Sequence, residues 1–142
     1  MTDADVIIIG SGFSGAICAD RFSAAGLRVM VLERGPWRDS LPVRSMGIGD
    51  RAPFPHGRKA ITHLLRNLRF GPLAITLNKT GLFELSAWSG LGVLAASAVG
   101  GGSHAWASLL TPPSDPEFWN RRHPKLQARD VEKYYETVVV DL

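Results

Sequence analysis

The chain has 142 residues, 45% of them hydrophobic and 20% charged, with a formal net charge of +3. That composition suits a globular domain with a modest core and excludes a disordered or low-complexity chain. The single cysteine, Cys18, excludes an internal disulfide, and its place in the first predicted helix suggests a packed, inert thiol.

The first element is an apolar strand, Val6-Ile7-Ile8-Ile9, running straight into Gly10-Ser11-Gly12-Phe13-Ser14-Gly15. A G-x-G-x-x-G pattern alone is weak. Between a strand and a helix, followed by a second strand that ends in an acid, it points to a bound dinucleotide. Here the helix spans about Ser14 to Ala25, with Gly26 as its stop, and Val29-Met30-Val31-Leu32 leads into Glu33. Gly10 permits the tight turn, Gly12 lets a pyrophosphate approach the backbone, and Gly15 lets the helix pack near the strand. The helix N-terminus favours the phosphate charge, and the Glu33 carboxylate can accept from the ribose hydroxyls.

Gly35-Pro36 ends this unit, which occupies residues 5–33. The next stretch, 34–72, is a connecting segment. Its prolines, Pro36, Pro42, Pro53 and Pro55, and its lack of periodicity predict a long loop over 36–58. It carries Arg34, Arg38, Arg44, Arg51, Arg58, Lys59, Arg66 and Arg69 against only Asp39 and Asp50. No nucleic-acid reader motif or aromatic interleaving accompanies these charges, so they are read as a solvated connection, with no nucleic-acid partner. Ile61, Leu64, Leu65 and Leu68 fit an amphipathic helix over Ala60 to Leu68.

Residues 73–111 hold a predicted hairpin and a second glycine motif. The hairpin pairs Leu73–Leu77 with Leu82–Leu85 across Asn78-Lys79-Thr80-Gly81. Gly92 to Val99 is an apolar run ending in Gly100-Gly101-Gly102-Ser103, where the backbone can approach a flat or anionic ligand and a helix can begin near Ser103. Leu85 to Ser114 contains no Asp, Glu, Lys or Arg, but its glycines, serines, His104 and tryptophans speak for a buried segment beside a ligand and against a membrane span. Residues 112–142 form a linker and a helix, in which Val131, Tyr134, Tyr135 and Val138 share a face and Asp130 serves as the cap. No secretion signal precedes the fingerprint, which predicts a cytoplasmic protein. No metal-ligand cluster and no catalytic triad is evident, so no catalytic residue is assigned.

Ile7 to Gly15, Val31-Leu32-Glu33-Arg34-Gly35, and Val99-Gly100-Gly101-Gly102-Ser103 followed by Pro112-Pro113 together resemble the glucose–methanol–choline oxidoreductases, closest to the cholesterol-oxidase-like branch. The Tyr134-Tyr135 helix also resembles one that these enzymes place after the second glycine motif. The resemblance implies an α/β fold: a Rossmann-like FAD/NAD(P)-binding βαβ unit with an added hairpin and helices, incomplete within this chain. It implies non-covalent FAD and oxidation of a CH–OH group of a small-molecule alcohol, with sterol the family-weighted substrate, by hydride transfer to the flavin. The cofactor-binding residues would be Gly10, Ser11, Gly12, Phe13, Ser14, Gly15, Glu33, Arg34, Gly100, Gly101, Gly102, Ser103 and Trp106. Of these, Gly100 to Ser103 would lie beside the diphosphate and flavin, and Ala105-Trp106-Ala107 would run along the isoalloxazine.

Two positions depart from the pattern. Trp106 stands where the cholesterol-oxidase-like motif carries Asn. Ala105 stands where the pyranose oxidases carry their flavin-linking His, and His104 lies one residue earlier, which predicts no covalent link. Family members are several times longer, with a substrate domain and a catalytic base absent here. The chain is therefore expected to be an N-terminal piece, inactive alone. Two other readings stay open: a non-catalytic or degenerate nucleotide-binding module, and an NAD-dependent dehydrogenase domain, for which the Gly100 to Ser103 motif has no evident use.

Overall fold

The computed structural model describes residues 3–106, 111–115, 117–123, 125 and 127–140. They fall into two compact units, residues 1–106 and 107–142, each treated by itself.

The first unit opens with β1 (Val6–Ile9), α1 (Phe13–Ala24) and β2 (Val29–Leu32). The β1 and β2 strands pair in parallel with Val6 opposite Val29 and Ile9 opposite Leu32, so α1 is the crossover of a βαβ unit. Their starts are pinned by Asp5, whose carboxylate accepts from the Arg28 backbone N–H at 2.9 Å and from its guanidinium at 2.8 and 3.1 Å. The Arg28 hydrogen bonds hold the Asp5 carboxyl below its ordinary pKa. At its far end α1 closes with two reversed bonds, Gly26 N–H to Ser23 O and Leu27 N–H to Phe22 O, the pairing of a Schellman stop. Cys18 is exposed on α1, against the expectation of a packed thiol. The helix is short and covers little, so even its apolar Phe13 and Ile17 are exposed.

The connecting segment is more ordered than its prolines suggest. Within it β3 (Trp37–Arg38) pairs in parallel with β4 (Arg51–Ala52), and α2 (Leu41–Ser45) begins with Pro42 in its first turn, where a missing N–H costs nothing. The predicted Ala60 to Leu68 helix is not formed as such. Its first part is α3 (Lys59–His63), and Leu65 and Leu68 belong to a strand, β5 (Leu65–Phe70). The same spacing serves both because strand pairing of β5 on both sides outweighs a helical periodicity only two turns long.

The predicted hairpin is also rearranged. Strands β6 (Leu73–Thr76) and β7 (Phe83–Trp88) do not pair with one another; the sheet order is β6-β5-β7-β8, with β8 spanning Leu91–Ala96. The hairpins are β5/β6, turning at Gly71-Pro72, and β7/β8, turning at Ser89-Gly90, while β5 and β7 run parallel. Asn78-Lys79-Thr80-Gly81 is still a turn: Asn78 Oδ1 accepts from both the Thr80 N–H and hydroxyl at 2.9 Å. It carries the chain from one side of β5 to the other instead of folding it back.

The buried centre of this unit is not the glycine region. It consists of Val43, Ala52, Leu82, Ala98, Ser97 and Arg38, the last only 2% exposed. The Arg38 guanidinium donates to four backbone carbonyls: Thr80 and Gly81 at 2.8 Å, Pro53 and Ser97 at 3.3 Å. Burial, helped by nearby Arg66, lowers its pKa from the ordinary arginine value. Several of the supposedly solvated charges are thus engaged. Arg44 and Arg51 hold Asp39 at 2.7 and 3.0 Å, and Arg34 and Arg66 flank Glu84 at 3.0 and 3.3 Å.

The second unit contains α4 (Phe118–Arg122) and α5 (Ala128–Val140). Asp130 lies within the first turn of α5 and is not its cap; the Ala128 N–H is taken by Asn120 Oδ1 at 2.9 Å. Tyr135 and Val131 are half-buried, Tyr134 and Val138 exposed. No described helix is long and apolar enough to cross a membrane.

Candidate functional site

The site starts where β1 stops. Gly10 has φ +91°, a left-handed conformation that disfavours a side chain, and its N–H donates to Leu32 O at 2.8 Å. The chain thereby turns across the end of β2 into α1. A Cβ at Gly15 would collide with the Gly10 carbonyl oxygen, so the close approach of helix to strand requires glycine there. Gly12 is the N-cap of α1, and the first N–H groups of this 12-residue helix have no intrahelical acceptor. The helix dipole adds positive potential at this end.

The two glycine motifs meet here. A Cβ at Gly101 would lie 3.1 Å from Gly12 Cα. Gly100 takes φ +98°, which turns the chain out of β8 so that its N–H reaches the Ser11 hydroxyl at 3.0 Å. The predicted helix near Ser103 is a single 3-10 turn, Gly101–Ala105, too short to bring a dipole of its own. His104 is a hydrogen-bonded histidine: Nε2 lies 2.9 Å from Val99 O, and its ring packs beside Phe54 at 6.4 Å. Phe13 and Trp106 meet edge to face at 5.9 Å and 77°. Ala107, assigned beside Trp106 to the isoalloxazine, lies outside the described residues.

Glu33 sits at the carboxyl end of β2. Its Oε2 accepts from the Ser11 N–H at 2.9 Å and the Ser11 hydroxyl at 2.7 Å, and Oε1 accepts from the Gly35 N–H at 2.8 Å. Burial pushes the carboxyl pKa up, but the bonds from Ser11, Gly35 and the Arg34 N–H outweigh it and hold the group below the ordinary glutamate value. The carboxylate is thus charged and oriented before any ligand arrives.

An open cavity of about 660 Å³ is lined by Ile9, Gly10, Gly12, Val31, Leu32, Glu33, Arg34, Ala96 and Gly101. Five of the sequence-predicted residues therefore share one cavity: Gly10, Gly12, Glu33, Arg34 and Gly101. Ser11 supports it through Glu33 and Gly100, and the Arg34 guanidinium is held by Glu84 at 3.0 Å. Phe13, Ser14, Gly15, Gly100, Gly102, Ser103 and Trp106 are not among its lining residues. The apolar wall of Ile9, Val31, Leu32 and Ala96 was not singled out from sequence. Its signal is positional, since the carboxyl ends of β1, β2 and β8 supply it. Gly35 was missed as a partner of Glu33, although its place two residues on is the spacing of a local carboxylate-to-backbone bond.

Residues 3–52 match a family described as the FAD binding domain. The cofactor is FAD. The chain is therefore a flavoprotein chain. It is 50% identical over 70 residues to the gluconate 2-dehydrogenase flavoprotein of Pantoea cypripedii, a match covering 49% of this chain and 10% of that protein. It is 33% identical over 117 residues to the cholesterol oxidase of two Mycobacterium tuberculosis strains, covering 82% of this chain and 17% of that protein. The chain thus corresponds to a small part of the length of these relatives.

The residues present fit FAD. Gly10 and Gly12 line the cavity, and a Cβ at either would meet no protein atom within 4 Å, which leaves room against the backbone. The donor set suits the two polar parts of the adenosine half: helix N–H groups for a diphosphate, a charged carboxylate for ribose hydroxyls. Among the described residues no group of three or more His, Cys, Asp or Glu could hold a metal ion.

Proposed function

We propose that the chain is the FAD-cradling part of a flavin-dependent oxidoreductase of the glucose–methanol–choline type, near its cholesterol-oxidase-like branch, acting on the CH–OH group of a small molecule. In this reading its first elements are the start of a Rossmann-like sheet. The observation that carries the reading is the meeting of the two glycine motifs, Gly12 against Gly101 and Ser11 against Gly100, at the cavity beside Glu33. A dinucleotide fold for a nicotinamide cofactor has no evident need of the second motif. The names of the relatives support the substrate class, since gluconate and cholesterol both carry secondary hydroxyl groups; a sterol is the class favoured by the match that covers more of this chain.

The bound flavin would supply the acceptor for the hydride leaving the CH–OH carbon. The residues of this chain would bind and orient it. Gly10 and Gly12 would admit the diphosphate to the backbone, the α1 N-terminus would stabilise its charge, and Glu33 would accept from the adenosine ribose. Gly100 to Ser103 would flank the diphosphate on its other side, and Trp106, set edge to face against Phe13, would border the flavin. The test is reconstitution. The purified chain, incubated with FAD and passed through gel filtration, is expected to keep the flavin absorption bands. Loss of all flavin from a folded chain would count against the reading.

A further inference from the structure

The hydroxyl of Ser11 is used twice. It donates to Glu33 Oε2 at 2.7 Å and accepts from the Gly100 N–H at 3.0 Å, across 89 residues of sequence. The result is a directional relay, Gly100 N–H to Ser11 Oγ–H to Glu33 carboxylate, in which each bond polarises the next. At one end stands the carboxylate that would take the ribose, clamped on its other oxygen by Gly35. At the other stands the residue whose left-handed turn sets Gly101 against Gly12. We infer that Ser11 is a positioning residue for the cofactor, coupling the ribose-binding carboxylate to the second glycine motif through its hydroxyl.

The geometry accounts for why a hydroxyl is needed. Alanine would keep the backbone N–H bond to Glu33 but leave the Gly100 N–H without this acceptor and remove one of the donors that orient Oε2. The Glu33 carboxylate and the second glycine motif would lose a shared contact together. A group that served only the fold would not distinguish ligands with a ribose diol from those without one. A group that orients Glu33 would, because a carboxylate in the wrong orientation loses the diol bonds and little else. The inference rests on the cofactor-site reading above.

The test uses the full chain with ADP and 2′,3′-dideoxy-ADP as probes, by calorimetric titration of the wild type, Ser11→Ala and Ser11→Thr. The wild type is expected to prefer ADP over the dideoxy form by about tenfold or more. Ser11→Ala is expected to bind ADP about tenfold more weakly and to lose most of that preference, and Ser11→Thr, which restores the hydroxyl, to recover both. Unchanged ADP affinity in Ser11→Ala overturns the inference, as does equal weakening for both ligands with the preference intact. A second measurement needs no variant: the Gly100 amide resonance of the wild type should move differently with ADP than with dideoxy-ADP. Identical shifts overturn the coupling even where Ser11→Ala does not fold. A folded wild type that binds neither FAD nor ADP overturns the cofactor-site reading itself, and the inference with it; a wild type with diol preference and an unaffected Ser11→Ala overturns the inference alone.

Discussion

Around Gly12 the backbone meets open space, whereas around Arg38 it meets a buried guanidinium. At the first, a bare glycine at the head of α1 lines a cavity that a Cβ would enter without touching protein. At the second, the carbonyls of Pro53, Thr80, Gly81 and Ser97 are satisfied from within by one side chain. Both solve the same problem, backbone polar groups gathered where strands and loops converge. One region supplies its own partner and becomes the core. The other is left open to a ligand and forms the candidate site. Stability and binding should therefore be separable in this chain.

The largest expected effect is at Arg38. Arg38→Ala leaves buried carbonyls without a donor and should cost at least about 3 kcal/mol, read as a lower urea midpoint. A midpoint within error of the wild type would remove Arg38 from its place at the centre of the fold. The glycines should divide next. Gly15→Ala drives a Cβ into the Gly10 carbonyl and should cost about 1–3 kcal/mol of stability. Gly12→Ala meets no protein atom and has φ −67°, so its stability should fall by less than about 1 kcal/mol, while FAD affinity falls at least about tenfold. Equal stability losses in the two variants would break the distinction between a packing glycine and a ligand-facing one.

The smallest effect is electrostatic. The Arg44 bond, with help from Arg51, lowers the Asp39 pKa to about 2. A depressed carboxyl stabilises the fold above its unfolded pKa and loses that contribution as pH falls through the folded one, a window from roughly pH 4 down to about pH 2. Asp39→Asn should be slightly less stable than wild type at pH 7, with the difference closing through that window in acid-unfolding curves.

The candidate site was legible where its pattern is local. Gly10, Gly12, Gly15 and Glu33 announce themselves because turn, close approach and acid lie within one βαβ unit. Arg38 was read as a solvated charge because nothing beside it in sequence shows that four distant carbonyls converge on it. Leu65 and Leu68 fit a helix until their strand partners are known, and Leu73–Leu77 fits a hairpin with the wrong neighbour, since turn residues mark where the chain bends but not which strand it bends toward.

The sequence by itself determined the β1-α1-β2 unit, its glycine turn and the acid that closes it, because short-range sterics and periodicity suffice for contacts within some thirty residues. Only the tertiary structure decided the β6-β5-β7-β8 order, the burial of Arg38 and the meeting of Ser11 with Gly100. Those depend on which distant backbone groups need partners once the chain has collapsed, and no local pattern records that.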